Sequence, residues 1–321
     1  MERALSHYYA NGQPFGRDGD FITAPEISQI FGELIGLWMA IQWQTMGSPK
    51  DLVLAELGPG RGTLMADLLR AGSMVPGFLQ AAQIVLVETS PSLRKQQEQK
   101  LGGFNVVWMD RVEDIPPGPM LLVANEFFDA LPIDQFVRFE GSWRVRTVDC
   151  DPDAGFGFAL GDGAFLPYND PEGTIREVCP MGQAIAAHLG ERLSKQGGAA
   201  LIIDYGYGRS QPGDTVQAVK GHAYHPVLEQ PGQADLTAHV DFEALAVAAI
   251  PARAHGIVSQ GAFLKAMGIE TRLTLLSQGK SDAVAQELAA GVRRLIDNDA
   301  MGALFKVMAL AHPALPPPPG F

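Results

Sequence analysis

The sequence has few cysteines and no long apolar segment. Cys150 and Cys179 are the only cysteines in the 321 residues, and they do not form a C-x-x-C pair. A disulfide framework or a zinc site is therefore not expected, and we predict no metal. No run of about 18 apolar residues occurs, which argues against a membrane-spanning helix. The first residues also lack the apolar segment of a secretory signal peptide.

The sequence also has fewer basic than acidic residues. Lysine and arginine together number 24 against 36 aspartates and glutamates, which gives a formal net charge of −12. This balance argues against binding to the phosphate backbone of a nucleic acid and favours a basic or neutral substrate. A hydrophobic content of 46% and a charged content of 19% are those of an ordinary soluble protein. The length suffices for one large domain, or for one core with an added lobe.

The stretch from residue 52 to residue 64, LVLAELGPGRGTL, has the strongest pattern in the chain. Its first half is mostly aliphatic, which predicts a buried strand, and its end predicts the start of a helix. Glycines in the connecting turn permit unusual backbone angles and let a ligand approach the main chain closely. These glycines are Gly58, Gly60 and Gly62.

Two classes of cofactor bind to such a turn. Dinucleotide enzymes prefer the spacing G-x-G-x-x-G, whereas Thr63 stands here where the last glycine of that pattern would be. Glu56 lies just before the first glycine, where a carboxylate is poorly placed beside a pyrophosphate but well placed for a cation. S-adenosylmethionine (AdoMet) carries an ammonium and a sulfonium group and no phosphate, so the motif favours AdoMet. A dinucleotide and a purely structural turn remain alternatives.

Acidic residues also follow the next two predicted strands. Residues 83–88 form an apolar run that ends in Glu88, and a third strand at 104–108 is followed by Asp110. A carboxylate at the tip of the second strand can accept both ribose hydroxyls of an adenosine, a device that NAD enzymes share. Asp110 is placed to reach the adenine amine. Because ligands bind beyond the carboxyl ends of parallel strands, we expect these side chains near Glu56.

The segment after the fourth predicted strand (120–124) supplies candidate residues for the methyl acceptor. It reads NEFFDALP and combines an amide, two carboxylates and two aromatic rings. Such a set suits a guanidinium, which pairs with carboxylates and stacks on rings. Because a guanidinium cannot be deprotonated in advance, a carboxylate would orient it and stabilise its charge as a nitrogen attacks the methyl group. We expect this role from Glu126, with Asp129 and Asn125, while the two phenylalanines are either acceptor-site or core residues.

The order of the predicted elements indicates an α/β fold. Strands and helices alternate over residues 52–124, which predicts a mostly parallel sheet with right-handed crossovers. Thr23 and Glu26 read as a capping box at the start of one long helix. Alternating residues on both sides of Gly141 predict a β-hairpin, and residues 151–173, rich in glycine, aspartate and proline, predict a loop.

We expect the chain to be divided into four regions. The loop Gly19-Asp20-Phe21 is expected to close over the methyl-donor site, and the proline-rich end is expected to be disordered. The regions are an amino-terminal lid and helix (1–50), a core (51–135 and 175–315), an insertion with a β-hairpin (136–174) and a disordered tail (316–321).

Several long segments of the chain are specific enough to indicate a relationship. They are residues 19–33 (GDFITAPEISQIFGE), 56–64 (ELGPGRGTL), 125–132 (NEFFDALP), 197–206 (GGAALIIDYG) and 234–242 (ADLTAHVDF), with shorter matches at 87–88 and 263–269. Through these segments the chain resembles the MidA-type class I AdoMet-dependent methyltransferases over nearly its whole length. That family includes the mitochondrial assembly factor of respiratory complex I that acts as a protein arginine methyltransferase.

The resemblance implies a Rossmann-like fold with a seven-stranded, mostly parallel sheet, an antiparallel last strand, an amino-terminal helical lid and an insertion after strand four. It implies that AdoMet is the cofactor. The methionine end would be held by Glu56, the three glycines and Thr63, the ribose by Glu88, and the adenine side by Asp110.

The resemblance also implies an activity and a partner. The activity would be symmetric dimethylation of an arginine in a complex I subunit, which aids assembly of the complex. For this chain the substrate would be the equivalent NADH dehydrogenase subunit. No transit peptide is visible, so we expect the bacterial cytoplasm, or the mitochondrial matrix if the chain is eukaryotic.

Two other functions remain open at this point. The first is methylation of another amine or amide, such as a glutamine side chain, an adenine or a small metabolite. Residues 125–128, NEFF, loosely match the (N/D)-P-P-(Y/F) signature of those enzymes, although both prolines are absent. The second is a non-catalytic assembly factor that uses AdoMet only to order its lid.

Overall fold

The computed structural model of the protein describes residues 23–153 and 155–321, together with Met1, Ala4 and Tyr8. The predicted lid loop Gly19-Asp20-Phe21 lies outside the described residues. The first elements are α1 (Ala24–Ile27), α2 (Gln29–Thr45), β1 (Leu52–Leu57), α3 (Thr63–Gly72), α4 (Phe78–Ala81), β2 (Ala82–Val87), α5 (Pro91–Leu101), β3 (Val106–Met109) and β4 (Met120–Asn125).

The second half of the chain adds further strands and helices. The middle elements are β5 (Asp134–Phe139), β6 (Ser142–Asp151), β7 (Gly155–Ala164), β8 (Ile175–Val178), α6 (Pro180–Gln196), β9 (Gly198–Tyr207), β10 (Gln217–Lys220), β11 (Ala223–His225), β12 (Asp235–Thr237) and β13 (Val240–Asp241). The last are α7 (Phe242–Ala248), β14 (Arg253–Ser259), α8 (Gln260–Ala266), α9 (Ile269–Ser277), α10 (Asp282–Ile296), α11 (Met301–Leu304) and β15 (Phe305–Ala311). None of the helices formed by the described residues is long and apolar enough to cross a membrane.

The main sheet has the predicted topology. Its strands lie in the order β14-β15-β9-β4-β1-β2-β3, and the short β13 pairs with β9 beyond them. The strands from β9 to β3 are parallel, whereas β15 is antiparallel to both of its neighbours. The expected class I methyltransferase sheet is confirmed. It is mostly parallel and has seven strands along its main path, with β13 as an additional strand beside β9. The carboxyl ends of β1, β2, β3, β4 and β9 therefore meet at one edge.

The sheet is covered on both faces. Leu52 and Leu54 of β1 belong to one apolar cluster, which includes residues of α2 and α3. Val53 and Ala55 belong to the other, which includes residues of α6 and α7. Because helices cover the strand on both faces, all six of its residues are buried. Five of the six are apolar, which explains the nearly continuous apolar run in the sequence.

The insertion after β4 is more regular than expected. Strands β5 and β6 form a hairpin around Gly141, and a separate antiparallel sheet has the order β7-β6-β5-β8. Residues 151–173 were expected to be a loop, but β7 lies within them. Glycine alternates with Phe156 and Phe158 in the first half of β7, so the composition is that of a turn although the chain is extended.

The amino-terminal helix is divided into two parts. One helix starting at a Thr23–Glu26 capping box was expected, but the chain is extended at Ser28 between α1 and α2. The side chain of Ser28 accepts a hydrogen bond from the Ile30 N–H and thereby caps α2. Thr23 makes no capping hydrogen bond with its side chain, and Glu26 is used elsewhere.

The end of the chain is packed against the core, which corrects the expectation that residues 316–321 are disordered. The indole N–H of Trp38 donates a hydrogen bond to the carbonyl oxygen of Pro319 at 3.1 Å. The ring of Phe321 lies 5.6 Å from that of Phe263, centroid to centroid. Four consecutive prolines suggested a disordered tail, but the aromatic residue and the carbonyl groups around them find partners in α2 and α8.

Candidate functional site

The turn between β1 and α3 needs glycine at the three predicted positions. The backbone φ angles of Gly58, Gly60 and Gly62 are +60°, +52° and +78°, which side-chain-bearing residues rarely adopt. A Cβ atom on Gly58 would also come within 2.9 Å of the Phe127 ring. The main chain of this turn is therefore left open to a ligand at the carboxyl end of β1.

Glu56 is a buried carboxylate at the tip of β1. Its side chain is almost fully buried, and its Oε2 atom has no hydrogen-bond partner among the described residues. Burial raises the pKa of Glu56 to about 8; the Met65 N–H opposes this rise and the charge of Glu88 adds to it. A buried carboxylate with one unpartnered oxygen is a site for a cationic group, and the ammonium of AdoMet has that chemistry.

Glu88 lies beside this turn and is held by two hydrogen bonds. Its Oε1 accepts from the Ser90 N–H at 2.8 Å, and its Oε2 accepts from the side-chain amide of Gln97 at 3.3 Å. Each carboxylate oxygen can accept a further bond, so the ribose-binding role expected from sequence is open to it. Burial raises the pKa of Glu88.

Gln97 connects three parts of the site, although sequence reasoning did not single it out. Its side chain is fully buried, donates to the carbonyl oxygen of Gly60 at 2.7 Å, and accepts from the indole N–H of Trp108 at 2.8 Å. It also donates to Glu88. The available signal is its spacing: Gln97 lies midway between Leu93 and Leu101 on the buried face of α5, where a polar residue needs partners.

Asp110 lies at the outer margin of the same edge. Its carboxylate is largely exposed and pairs with Arg94 at 2.7 Å. The Arg94 side chain also donates to the carbonyl oxygens of Glu88 and Met109, which end β2 and β3. Asp110 is thus near the expected position, but its carboxylate is already engaged by a guanidinium.

These residues surround an open cleft. The cleft has a volume of about 770 Å³ and is lined by residues that follow β1, β2, β3 and β4, with part of α6 closing one side. Its size is that of a typical small-molecule site. The lining residues expected from sequence are Gly58, Gly60, Glu88, Asp110 and Glu126.

A smaller pocket adjoins the cleft at the glycine turn. It is lined by Glu56, Thr63, Asn125 and Glu126, and by residues of α1. The Thr63 hydroxyl donates to Glu26 of α1 at 2.5 Å. The Glu26 carboxylate therefore binds Thr63 and does not form the expected capping box with Thr23. Glu126 lines both the pocket and the cleft.

The loop after β4 has an unusual backbone. Glu126 adopts a φ angle of +51°, a left-handed conformation that costs on the order of 1 kcal/mol for a residue with a side chain. Its Oε1 accepts hydrogen bonds from the Ala24 N–H and from the Asn125 side chain, each at 3.2 Å. Burial, and then the charge of Asp129, raise the pKa of Glu126 to about 8.

Asp129 and Asn125 are buried beside Glu126. The Oδ1 atoms of both residues lack hydrogen-bond partners among the described residues. Burial raises the pKa of Asp129 to about 6. Of the two phenylalanines, Phe128 belongs to the core, and Phe127 is half-buried and lines the cleft. The structure thus brings the three predicted acceptor residues together, but only Glu126 and Asn125 line the cleft or the pocket, whereas Asp129 is buried beside them and lines neither. Phe127 is the ring that borders the cleft.

Asp204 is a second residue that sequence reasoning did not assign to the site. It is fully buried within β9, three residues before the end of that strand, and lies next to the loop after β4. Its Oδ2 accepts hydrogen bonds from the N–H groups of Phe127, Phe128 and Asp129 at 3.2, 3.0 and 3.2 Å. The signal in the sequence is an aspartate that directly follows the apolar run of residues 199–203.

The donor set fits AdoMet. An orphaned buried carboxylate meets the need of its ammonium group, the glycine turn leaves room at the main chain, and Glu88 is placed for a ribose. In the part of the chain that the structure describes, no group of three or more His, Cys, Asp or Glu residues is arranged to hold a metal ion.

Comparisons with known proteins identify the family of the chain. A family model described as "Putative S-adenosyl-L-methionine-dependent methyltransferase" matches residues 34–261. A Xenopus tropicalis protein named protein arginine methyltransferase NDUFAF7, mitochondrial, is 38% identical, with 100% of this chain and 83% of that protein covered. The Homo sapiens protein of the same name is 37% identical, with 94% of this chain and 76% of that protein covered.

A solved structure shares the whole architecture. The crystal structure of a Burkholderia thailandensis protein bound to S-adenosyl-homocysteine is 28% identical, with a TM-score of 0.85, and the match covers 100% of this chain and 88% of that one. S-adenosyl-homocysteine is AdoMet after loss of the methyl group. AdoMet is therefore the cofactor of this enzyme, and the chain belongs to the family of S-adenosyl-L-methionine-dependent methyltransferases.

Proposed function

We propose that the enzyme is a protein arginine N-methyltransferase whose acceptor guanidinium binds to Glu126, Asp129 and Asn125. The observation that carries the proposal is a set of acidic groups without a cation. Burial and neighbouring charge raise the pKa of Glu126 to about 8, and burial raises that of Asp129 to about 6. Neither carboxylate forms an ion pair with a described residue.

A guanidinium matches this set better than a neutral amide does. It would relieve the repulsion between the two carboxylates, and its planar fork can donate to both at once. The unpartnered Oδ1 of Asn125 could accept a further N–H, and Phe127 offers a ring face in the cleft. The name of the relatives, protein arginine methyltransferase, supports the same acceptor.

We assign the remaining sequence-predicted residues to the donor. Glu56 would bind the ammonium group. The turn that contains Gly58, Gly60 and Gly62 would flank the methionine end together with Thr63. Glu88 would accept the ribose hydroxyls, and Asp110 would lie on the adenine side. When bound, AdoMet supplies an electrophilic methyl group on a sulfonium.

The chain's own residues act mainly by positioning. The carboxylate of Glu126 would hold the guanidinium with one nitrogen facing the methyl group and stabilise the charge on the acceptor, which fixed groups do at low reorganisation cost. The nitrogen gives up one proton as it gains the methyl group. Glu126, whose pKa is raised to about 8, would lose its own proton when the guanidinium binds, so Asp129, whose pKa is raised to about 6, is the carboxylate suited to take the released proton near neutral pH.

The protein substrate that we propose is a subunit of NADH dehydrogenase (complex I), with symmetric dimethylation of one arginine as an aid to assembly. The family resemblance supports this choice, and the formal net charge of −12 suits a basic acceptor segment. The matching compartments are the bacterial cytoplasm or the mitochondrial matrix. The named relatives are mitochondrial proteins.

The test is methyl transfer to the matching NADH dehydrogenase subunit with deuterium-labelled AdoMet, read by tandem mass spectrometry. We expect label on one arginine, with one methyl group on each terminal nitrogen. A sample with Glu126→Gln enzyme serves as the control. Label on glutamine, adenine or a metabolite would favour the other acceptors. Assembly that is promoted without any label would favour a non-catalytic factor.

A further inference from the structure

We propose that Asp204 is a positioning residue for methyl transfer, which fixes the main chain of the loop that carries Glu126 and Asp129. The inference rests on the proposed function, because it assumes that these two carboxylates hold the acceptor. Asp204 itself lines neither the cleft nor the pocket at the glycine turn.

The contact between Asp204 and the loop is made through successive main-chain groups. The Glu126 N–H donates to the carbonyl oxygen of Ile203 at 2.9 Å, which is the last contact of sheet type between β4 and β9. The next three N–H groups, of residues 127–129, all donate to Asp204 Oδ2. Four consecutive amides are therefore tied to two consecutive residues of the neighbouring strand.

The other oxygen of the carboxylate holds Asp204 in place. Oδ1 accepts a hydrogen bond from the Tyr205 N–H at 3.0 Å. Burial and the charges of Asp129 and Glu126 raise the pKa of Asp204, and the N–H groups of Asp129 and Tyr205 oppose that rise. Consecutive N–H groups that converge on one carboxylate oxygen form a concave main-chain arrangement, which stabilises the charged form of the acid. One buried carboxylate thus determines the curvature of the loop.

This curvature sets where the acceptor residues stand. Glu126 and Asp129 lie at the two ends of the anchored segment, and Glu126 has the left-handed φ angle of +51°. Such a conformation persists only where the surroundings enforce it. The hydrogen bonds from residues 127–129 supply that enforcement directly after the strained residue. Loss of the anchor would let Glu126 relax and move its carboxylate relative to the methyl donor.

The first test is hydrogen–deuterium exchange of the wild-type enzyme and of Asp204→Asn. The asparagine has the same shape, but its amide group cannot accept hydrogen bonds on both sides. We expect slow exchange at the amides of 127–129 in the wild type and at least tenfold faster exchange in the variant. If these wild-type amides exchange as fast as those of Gly102 and Gly103 in the exposed turn after α5, the proposal is overturned, whether or not the variant folds.

The second test separates positioning from stability. We expect Asp204→Asn to keep its affinity for S-adenosyl-homocysteine and its KM for AdoMet, while kcat falls roughly 100-fold, because small displacements of reacting groups have effects of that size. The matched control is Asp241→Ala, which removes the side chain that caps α7 through the Ala244 N–H at 3.0 Å. The control is expected to lower the melting temperature without changing kcat.

The outcomes distinguish the two proposals. A wild-type enzyme that methylates no arginine would contradict the proposed function, and this inference with it. An active wild type together with an Asp204→Asn enzyme of unchanged kcat would overturn the inference alone. An Asp204→Asn enzyme that loses activity only in proportion to its loss of folded protein, with kcat per folded molecule unchanged as in Asp241→Ala, would show a structural role and would also overturn it.

Discussion

The carboxylate of Glu126 accepts a hydrogen bond from the main-chain N–H of Ala24 at 3.2 Å, across 102 positions of the sequence. Ala24 begins α1, and Glu26 of the same short helix binds the Thr63 hydroxyl at the glycine turn. Helix α1 therefore touches both the loop that we assign to the acceptor and the turn that we assign to the donor. Ala24 and Glu26, which belong to the segment quoted for the family resemblance, therefore connect the two sites.

The affinity for AdoMet should depend on pH through Glu56. Burial raises the pKa of this group to about 8, so below that pH it is protonated in the free enzyme and must lose a proton to pair with an ammonium. We expect affinity to rise with pH, by up to roughly tenfold per unit, until about pH 8, where an α-amino group begins to lose its own charge.

Calorimetric titration at several pH values measures this dependence. Glu56→Gln should weaken binding at pH 8 and flatten the profile, whereas Glu98→Gln, at an exposed position on α5, should behave as the wild type. An affinity that is independent of pH in the wild type would contradict the assignment of Glu56 to the ammonium group.

Replacement of Gln97 should weaken the donor site without direct contact with the ligand. Gln97→Leu keeps the approximate size of the side chain but removes its bonds to Gly60, Glu88 and Trp108. Groups left without partners in a buried site cost about 1–3 kcal/mol each, part of which we expect as a loss of AdoMet affinity of roughly tenfold or more. The control is Gln99→Leu, at an exposed position of the same helix, and equal affinities of the two variants would contradict the prediction.

The donor half of the site was predictable because its signals are local. Glycines at positive φ angles, apolar runs and carboxylates at strand ends appear directly in the sequence, and the structure has Gly58, Glu56 and Glu88 at one edge of the sheet. The neighbours that hold these groups were not predictable in the same way. Gln97 reaches Gly60 across 37 positions and Asp204 reaches Phe128 across 76, and such contacts exist only once the sheet has formed.

The stability of the ligand-free enzyme should decrease as the pH rises from about 5 to about 8. The pKa values of Glu56, Glu126 and Asp129 are raised to about 8, 8 and 6, so in this window the folded state binds protons that the unfolded state releases. By linkage, stability present at low pH is lost as the pH rises through the folded-state values. His239 and His255, whose pKa burial lowers, act in the opposite direction near pH 6.5.

Thermal unfolding of the wild type and of Glu126→Gln isolates the carboxylate contribution, because the histidines are common to both. We expect the variant to be the more stable of the two at pH 8 and to lose less stability between pH 5 and pH 8. Equal pH dependence in the two proteins would contradict the raised pKa of Glu126.

Removal of residues 316–321 should destabilise the fold and leave the donor site intact. The deletion removes the bond from Trp38 to Pro319 and the Phe321 ring beside Phe263. A lost hydrogen bond and a lost apolar contact each cost on the order of 1–2 kcal/mol, which corresponds to a fall of several degrees in melting temperature. An unchanged melting temperature would mean that the tail does not pack in solution, while S-adenosyl-homocysteine affinity serves as the internal control.

The misread segments share a physical cause. Strand β7 is ten residues long, but its alternate glycines remove the hydrophobic contrast on which strand prediction depends. The proline-rich tail packs through a contact with a distant residue, the bond from Trp38 to Pro319, and Glu26 binds Thr63 instead of closing a capping box with Thr23. Local composition predicted the opposite in each case, and tertiary contacts decided the conformation.

The most direct test of the account measures donor binding and methyl transfer in the same Glu126→Gln protein. The amide keeps the shape of the side chain and removes the charge that we assign to the acceptor. We predict an S-adenosyl-homocysteine affinity within about threefold of the wild type and a loss of arginine methylation of roughly 100-fold or more, as for other groups that stabilise charge at a reacting centre. Full methylation by Glu126→Gln, with donor binding intact, would contradict the central claim that this carboxylate holds the acceptor.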